Sequence, residues 1–521
     1  MKLEQQPHSV RPTQPSSDRE AQTFIAPDDA HNRALVHNVH PLTWVNPTPG
    51  GRYNLVVLGA GTAGLVSAAG AASVGAKVAL VERHLIGGDC LNFGCVPSKA
   101  LLRAARAVHA VHQASAFGMR AEAHVDFDLA MARVRRLRAG ISHNDSVHRL
   151  AGLGVDVYFG DARFVGSDAV EVDGKRLEFS RAVIATGARA ASPPVPGLSE
   201  AGFLTNETVF SLTELPRRLI VLGAGPIGCE LAQAFRRLGS SVKVLSVGAR
   251  LLPREDADAA SVVAEQFERE GIHMALGVQI QSVEQRKTEK LVVFERAGER
   301  EEVAADEILV AVGRAPNVES LALGAARVAF DRDGVKVDDR LRTTNRRIFA
   351  AGDICSAYKF THAADAMARV VLQNALFFGR KKASSLVIPW CTYTDPEVAH
   401  VGLYEDEAKQ RGFNVRTLAI PLSEVDRAVL DEQTEGFARV HLDERNGRIL
   451  GATMVASQAG EMIGEMALAM TAGLSIGTVA KTIHPYPTQT EAWKRLGDAW
   501  NRTRLTPRVR AILERILSFR R

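Results

Sequence analysis

The sequence has little cysteine, few aromatic residues and no long apolar run. Five of its 521 residues are cysteine, and 6% are aromatic. So few thiols, behind a first segment that carries acids and no apolar core, predict a protein of the reducing cytoplasm and not a disulfide-stapled secreted one. No apolar run reaches the roughly 18 residues that a membrane span needs, so the sequence predicts no transmembrane segment.

An excess of one charge is also lacking. There are 64 basic and 59 acidic residues, for a formal net charge of +5. Because the two signs alternate along most of the chain, nothing predicts a nucleic-acid partner. A content of 46% hydrophobic and 24% charged residues is typical of a globular protein. The length predicts roughly three or four domains.

Two glycine-rich segments organise the chain. The first begins at Tyr53, "YNLVVLGAGTAGLVSAAGAASVGAKVALVER", and the second at Leu219, "LIVLGAGPIGCELAQAFRRLGSSVKVLSV". Each combines a buried strand, a glycine turn, a helix and a second strand. We therefore predict an α/β fold with two doubly wound dinucleotide-binding domains, one inserted in the other, and a C-terminal α+β domain.

The expected domain boundaries follow from these segments. They are a polar extension over 1–50, the first nucleotide-binding domain over 51–205, the inserted domain over 206–325, a return segment over 326–385, the α+β domain over 386–500 and a basic tail over 501–521. In the polar extension, Trp44 is a candidate to dock on the body.

The first glycine fingerprint comprises Gly59, Gly61 and Gly64. It follows a strand and opens a helix, and Glu82 ends the next strand. In this context glycines let backbone N–H groups reach a pyrophosphate, and the acid accepts from a ribose hydroxyl. The alternative is a tight turn without a ligand. Two later apolar strands close the two sheets and add candidate nucleotide contacts, namely Thr186, Gly187 and Gly313.

The second fingerprint comprises Gly223, Gly225 and Gly228. Its second strand ends in Ser246, where an NAD-selective site carries Asp or Glu, and Arg250 and Arg254 follow. A missing acid with nearby arginines favours the 2′-phosphate of NADPH, with NADH as the alternative.

Two cysteines, Cys90 and Cys95, lie in "GGDCLNFGCVPSK", directly after the first nucleotide unit. A zinc site needs about four ligands, and Cys229, Cys355 and Cys391 are solitary and scattered, so we predict no metal site. A permanent disulfide is not expected in the cytosol. A redox pair beside a flavin, with Gly88 among the flavin contacts, explains both the spacing and the neighbours.

This motif resembles the active site of the FAD-dependent pyridine nucleotide-disulfide oxidoreductases, a family that includes dihydrolipoamide dehydrogenase, glutathione reductase and mercuric reductase. The resemblance covers about residues 53–500. It implies FAD in the first domain, NADPH or NADH in the inserted one, and a C-terminal dimerisation domain that makes a homodimer. It also implies that Asp353 contacts the ribityl chain and that a helix starting near "THAADAMA" points at the flavin ring.

The resemblance further implies roles for individual residues. Cys95 is the thiol nearest the flavin, where it makes the charge-transfer contact, and Cys90 exchanges with the substrate. Lys99 and Glu230 match the ion pair near flavin N5, the alternative being two unrelated surface charges. Hydride then passes from NAD(P)H to FAD, the Cys90–Cys95 disulfide opens, and the dithiol reduces the substrate.

The C-terminal domain of this family supplies a His–Glu pair to the partner subunit's active site, with the Glu five positions after the His. Here "HPYPTQTEAW" places Glu491 seven after His484 but five after Tyr486. Tyrosine at that register resembles mercuric reductase, and His484 is the alternative base. The terminal Cys-Cys pair of mercuric reductases is absent after Cys391. This absence argues against a dedicated mercuric reductase. The expected acceptor is a soft metal ion such as Hg(II) or a small disulfide, with a dihydrolipoamide dehydrogenase-type enzyme or a flavin-bound redox sensor as alternatives.

The last 21 residues hold seven arginines and one glutamate. Val509, Ile512, Leu513, Ile516 and Leu517 recur at helical spacing, which predicts an amphipathic helix. Packing on its own dimer is the favoured interpretation, and an acidic partner or a membrane surface is the alternative.

Overall fold

The computed structural model describes residues 25–521, so the first half of the expected N-terminal extension lies outside the described residues. Its helices are α1 Ala30–Val39, α2 Thr62–Ser73, α3 Gly88–Asn92, α4 Cys95–His112, α5 Phe127–Ser142, α6 Val147–Gly152, α7 Leu198–Ala201, α8 Pro226–Leu238, α9 Ala257–Arg269, α10 Thr361–Leu376, α11 Glu405–Gln410, α12 Asp426–Leu430, α13 Ala459–Thr471, α14 Ile476–Lys481, α15 Glu491–Thr503 and α16 Pro507–Ser518.

The strands are β1 Tyr53–Leu58, β2 Val78–Glu82, β3 Val155–Phe159, β4 Ala162–Phe164, β5 Ala169–Val172, β6 Lys175–Ile184, β7 Ala188–Ala190, β8 Arg218–Leu222, β9 Ser241–Ser246, β10 His273–Leu276, β11 Gln279–Arg286, β12 Glu289–Arg296, β13 Glu299–Ala305, β14 Glu307–Val310, β15 Arg314–Pro316, β16 Phe330–Asp331, β17 Gly334–Val335, β18 Ile348–Ala350, β19 Pro389–Thr392, β20 Glu397–Gly402, β21 Val415–Pro421, β22 Phe437–Asp443 and β23 Ile449–Ala456.

The first sheet has a parallel core in the order β3-β2-β1-β6, and β18 adds to β6 from much later in the chain. Its strands are apolar runs because a parallel sheet is covered on both faces. The strand order reverses between β1 and β6, so their carboxyl ends open a crevice there. In doubly wound sheets this crevice is where a nucleotide binds.

The second sheet repeats the arrangement with the order β10-β9-β8-β14, all parallel. Its reversal point lies between β8 and β14. The antiparallel sheet β11-β12-β13 separates β10 from β14 along the chain. Because β18 returns to the first sheet after the second is complete, the second nucleotide-binding unit is inserted in the first, as the sequence predicts.

The C-terminal part folds as a five-stranded antiparallel sheet in the order β19-β20-β23-β22-β21. Helices α13 and α15 lie against it, and Trp493 of α15 is fully buried in their common core. This confirms the predicted mixed α+β block. None of the helices among residues 25–521 is both long and apolar enough to cross a membrane.

The described part of the N-terminal extension packs on the body. Helix α1 lies against α5, and Trp44 donates from Nε1 to the Val157 carbonyl at 3.1 Å, so the tryptophan docks as expected. Arg138 of α5 is 1% exposed and donates to the Asn92 carbonyl and to Asn32 Oδ1 of α1, both at 2.7 Å. One buried guanidinium therefore joins the extension to the helix that carries Cys90.

Replacing Arg138 by methionine is expected to lower the free energy of unfolding by about 2 kcal/mol, because Asn92 and Asn32 lose charged donors in a buried place. For a chain of this length that corresponds to a fall of about 2 °C in the thermal midpoint, followed by circular dichroism. Arg136→Met is the matched control, since Arg136 is on the same helix and exposed. Equal midpoints for the two variants would contradict the role of Arg138.

Candidate active site

The first fingerprint lies at the crevice between β1 and β6. A side chain at Gly59, where φ is +96°, would put its Cβ 2.4 Å from the Ala185 carbonyl oxygen, and one at Gly64 would lie 1.8 Å from the Gly59 oxygen. These two glycines are therefore required by the fold itself, for the tight turn and for helix–strand packing.

Gly61 has a different reason to be glycine. A Cβ there would meet nothing closer than the Gly88 Cα at 3.8 Å, so no protein atom excludes a side chain. Gly61 also precedes α2 without a side-chain cap, which leaves the N–H groups of that helix free for an anion. Helix end and open space together fit the pyrophosphate of FAD.

Glu82, at the end of β2, accepts from the backbone N–H groups of Ala60 at 2.7 Å and His84 at 2.8 Å. Burial raises the pKa of this carboxyl, while the two N–H groups act in the opposite direction. The bonds hold the carboxyl beside the glycine turn, where its remaining lone pairs can accept from ribose hydroxyls. The position fits the predicted role.

The other predicted FAD contacts surround the same crevice. Thr186 donates from Oγ1 to the Asn317 carbonyl at 3.0 Å, and Gly187 follows it at a φ of +65°. Burial raises the pKa of Asp353, against the positive charge of Arg314, whose Nε lies 3.5 Å from the carboxylate. Gly88 packs its backbone on Gly61, where a Cβ would come within 2.6 Å of the Gly61 Cα.

The second fingerprint has the same construction at β8 and β14. A Cβ at Gly223 would lie 2.4 Å from the Ala311 oxygen, and one at Gly228 would lie 2.1 Å from the Gly223 oxygen. Gly225, in contrast, has nothing within 4 Å and precedes α8 without a side-chain cap. Gly313 follows β14 at a φ of +133°. These residues fit a second dinucleotide, NAD(P)H.

The loop after β9 carries the residues expected to select between NADPH and NADH. Ser246 accepts from the Gly248 N–H at 3.1 Å, so no acid stands at the ribose position. Arg250 donates one Nη to the Pro253 carbonyl at 2.9 Å, and its buried Nη1 has no partner among the described residues. Arg254 is exposed. An unpaired guanidinium nitrogen on this loop is suited to a 2′-phosphate.

The cysteine pair lies where α3 and α4 meet, with Cys90 half-buried on α3 and Cys95 exposed as the first residue of α4. Thr361, the first residue of α10, has its hydroxyl 3.4 Å from the Cys95 sulfur. Two helix N-termini therefore point at one thiol, an arrangement that favours its thiolate.

The electrostatics divide the two thiols into a donor and a thiolate. The hydrogen bond from Cys90 lowers the pKa of Cys95 to about 6, and the Thr361 hydroxyl and the Lys99 charge act in the same direction against desolvation. The same hydrogen bond, together with burial, raises the pKa of Cys90. In the reduced protein Cys95 is thus the anionic sulfur and Cys90 keeps its proton.

This division predicts a pH dependence. Since the pKa of Cys95 is lowered from 9.0 to about 6, its thiolate is present at neutral pH and is lost as the pH falls through about 6. The rate of iodoacetamide alkylation of the reduced protein should follow that transition. Cys90→Ala removes the hydrogen-bond donor and should move the transition to higher pH. A wild-type transition near pH 9 would contradict the arrangement.

Lys99 and Glu230 form the expected ion pair. Lys99 Nζ lies 2.8 Å from Glu230 Oε2, and the other carboxylate oxygen accepts from the Tyr393 N–H at 3.0 Å. Burial acts to lower the pKa of Lys99, but the Glu230 carboxylate outweighs it and holds that pKa above its ordinary value. The ammonium also lies 4.4 Å from the centre of the Tyr393 ring. The two are therefore not unrelated surface charges.

The two candidate residues for the acid–base role in the C-terminal domain, His484 and Tyr486, have different partners and different exposure. His484 Nε2 lies 3.0 Å from Glu465 of α13, and its side chain is only 6% exposed, so it is paired inside its own subunit and not with Glu491. Tyr486 is 71% exposed and donates its hydroxyl to Asp426 at 2.9 Å. That hydrogen bond raises the pKa of the phenol, and Glu491, the first residue of α15, adds to the effect.

Several of these contacts have no signal in the sequence. Thr361, Tyr393, Glu465 and Asp426 each lie far along the chain from the residue they contact. Only the helix starting at Thr361 is anticipated, through the family resemblance. Glu465, on a helix of ordinary composition 19 positions before His484, has no motif that would mark it.

Two family models cover most of the chain. Residues 53–368 match "Pyridine nucleotide-disulphide oxidoreductase", and residues 388–496 match its dimerisation domain. The chain is 35% identical over 444 residues to a mercuric reductase of Bacillus cereus, covering 85% of this chain and 70% of the relative. It is 35% identical over 461 residues to a dihydrolipoyl dehydrogenase of Thermus scotoductus, covering 86% of this chain and 97% of the relative.

Solved structures share the fold. The HOCl-induced flavoprotein disulfide reductase RclA from Escherichia coli superposes with a TM-score of 0.77 at 30% identity, covering 86% of this chain and 99% of that one. LpdA from Mycobacterium tuberculosis superposes with a TM-score of 0.79 at 26% identity, covering 85% of this chain and 99% of that one.

Proposed function

The chain belongs to the pyridine nucleotide-disulphide oxidoreductase family, and we propose that it passes electrons from NAD(P)H through FAD and the Cys90–Cys95 pair to a soft metal ion such as Hg(II). It is a flavoprotein oxidoreductase with FAD and NAD(P)H as its cofactors, and its dimerisation domain supports a homodimer. We further propose that it works in the cytoplasm.

The observation that carries this choice of acceptor is the position of His484. Reduction of a disulfide acceptor needs an acid–base group that, in its protonated form, gives a proton to the leaving thiolate. The His484 side chain is only 6% exposed, so it is poorly placed to reach the partner subunit's Cys90. The exposed group at that register is Tyr486, which supplies a hydroxyl instead of an imidazole. Bound Hg(II) needs no protonated leaving group, so the absence of a histidine at this register is no obstacle.

When bound, FAD supplies a two-electron carrier between the nicotinamide and the thiols. The chain's own residues then have separable tasks. The hydrogen bond from Cys90 lowers the pKa of Cys95, with help from Thr361 and Lys99, and so favours the thiolate, which is the form that binds soft metals. Cys90 carries the proton until the acceptor arrives, and its release gives a second thiolate. Re-forming the Cys90–Cys95 disulfide gives up two electrons, the number that converts Hg(II) to Hg(0).

The direct test is an acceptor panel with the purified flavoprotein. NADPH oxidation would be followed with Hg(II) in excess small thiol, with lipoamide and with oxidised glutathione, and Hg(0) would be collected as vapour. We expect one Hg(0) for each NADPH and little turnover with either disulfide. Turnover with a disulfide alone would overturn the metal acceptor. No sustained turnover with any of them would favour the redox-sensor alternative.

A further inference from the structure

Helix α16 has no buried residue, so no other part of the described chain packs over it. Every residue from Asn501 to Arg521 is exposed. Along the helix the apolar side chains recur on one side, and their exposed fractions are Val509 40%, Ile512 59%, Leu513 43%, Ile516 50%, Leu517 57% and Phe519 81%. Thr506 caps the helix by accepting from the Val509 N–H, and this bond stabilises the exposed N-terminus of the helix.

The charge of the chain is concentrated in the same segment. The whole protein has 64 basic and 59 acidic residues, of which seven arginines and one glutamate lie in the last 21 positions. The body before the tail is therefore nearly neutral, and the positive excess of the protein belongs to the tail. By the helical period, Arg508 and Arg515 border the apolar side on one edge and Arg510 on the other.

We propose that α16 is an in-plane membrane-binding helix, which inserts its apolar side among the acyl chains of an anionic bilayer and places its bordering arginines at the lipid phosphates. An apolar stripe with cationic edges is the pattern of interfacial helices, because arginine stems extend along the apolar layer to the headgroups. The surface is independent of the cysteine pair, so the proposal does not rest on the proposed acceptor.

Charge complementarity favours this occupant over a second copy of the tail. Each tail carries seven arginines and one glutamate, so two tails set against each other would repel. Nucleic acid would match the arginines but would leave the apolar side chains in water. An anionic bilayer satisfies both sides of the helix.

The test is flotation of the full-length flavoprotein with vesicles of phosphatidylcholine alone or with about 30% phosphatidylglycerol. Each arginine near such a surface favours binding by about fivefold, so we expect at least about tenfold more protein on the anionic vesicles at about 0.1 M salt. Raising the salt to about 1 M shortens the screening length from about 10 to 3 Å and should release most of it.

Matched variants separate the apolar side from the charge. Ile512→Gln with Ile516→Gln alters the apolar side and should reduce binding at least tenfold, by the usual effect of exposing buried aliphatic groups. Ala511→Gln with Ser518→Gln, on the opposite side, should change it less than about twofold. Flavin content and NADPH oxidation with an artificial acceptor should be the same in all three proteins.

Three outcomes would overturn the proposal. The first is that the wild type floats equally with neutral and anionic vesicles, or floats with neither. The second is that the two pairs of glutamine substitutions reduce binding equally. The third is conversion of the dimer to a monomer by Ile512→Gln with Ile516→Gln in size-exclusion chromatography, which would make α16 a subunit contact.

Discussion

Replacing Cys95 by serine is expected to lower NADPH-dependent turnover of Hg(II) by at least about 1,000-fold, the loss typical when a reacting group is removed. Serine keeps the size and the hydrogen bond to Thr361, but it cannot form a thiolate or a disulfide. Since the residues proposed to hold the two dinucleotides, such as Gly61 and Gly225, are unchanged, the variant should bind FAD and should still oxidise NADPH with an artificial one-electron acceptor. Stopped-flow flavin reduction and Hg(0) release would be measured side by side.

The control for this substitution is Cys355→Ser. Cys355 is half-buried, and its thiol donates to the Gly352 carbonyl, a bond that serine can also make. Its turnover should stay close to that of the wild type. Persistence of Hg(II) turnover in Cys95→Ser would mean that electrons reach the acceptor without the cysteine pair.

Replacing Tyr486 by phenylalanine is expected to lower kcat/KM for Hg(II) by about 100-fold, a size typical for the loss of one positioned hydroxyl in a reaction centre. The ring is exposed and its hydroxyl donates to Asp426, so phenylalanine removes one polar atom with little effect on packing. Flavin reduction by NADPH should be unchanged, because Tyr486 lies in the dimerisation domain and its proposed role is at the acceptor.

His484→Gln is the partner variant. Glutamine can keep a hydrogen bond to Glu465, so we expect Hg(II) turnover within about threefold of the wild type. The opposite pattern, in which Tyr486→Phe leaves turnover unchanged and His484→Gln lowers it strongly, would assign the base role to His484. A disulfide would then be the acceptor.

The sequence predicts those parts of the fold that depend on local pattern. Gly59 and Gly64 are recognisable because the strand–turn–helix unit has no room for a side chain at either position. The residue types alone therefore predict the turn. The same holds for the inserted second unit. The Cys90–Cys95 spacing is equally local, since both residues lie on two short consecutive helices.

Contacts between distant segments could not be predicted in this way. The family register offers Glu491 as the acid for the C-terminal base, whereas the structure pairs His484 with Glu465 of α13. The sequence likewise predicts only a polar extension where α1 lies, because its Leu35 and Val39 are buried in a core formed with segments that are remote in the chain. Domain boundaries and the roles of the site residues stay predictions.

The most direct test of the Cys90–Cys95 relay is an anaerobic titration of the oxidised flavoprotein with NADPH, followed by addition of Hg(II). The relay predicts that the first equivalents produce the long-wavelength flavin–thiolate absorbance of Cys95, that this band declines below about pH 6, and that Hg(II) discharges it with release of Hg(0). Bleaching of the flavin with no long-wavelength band, and no effect of Cys95→Ser on the titration, would contradict the relay.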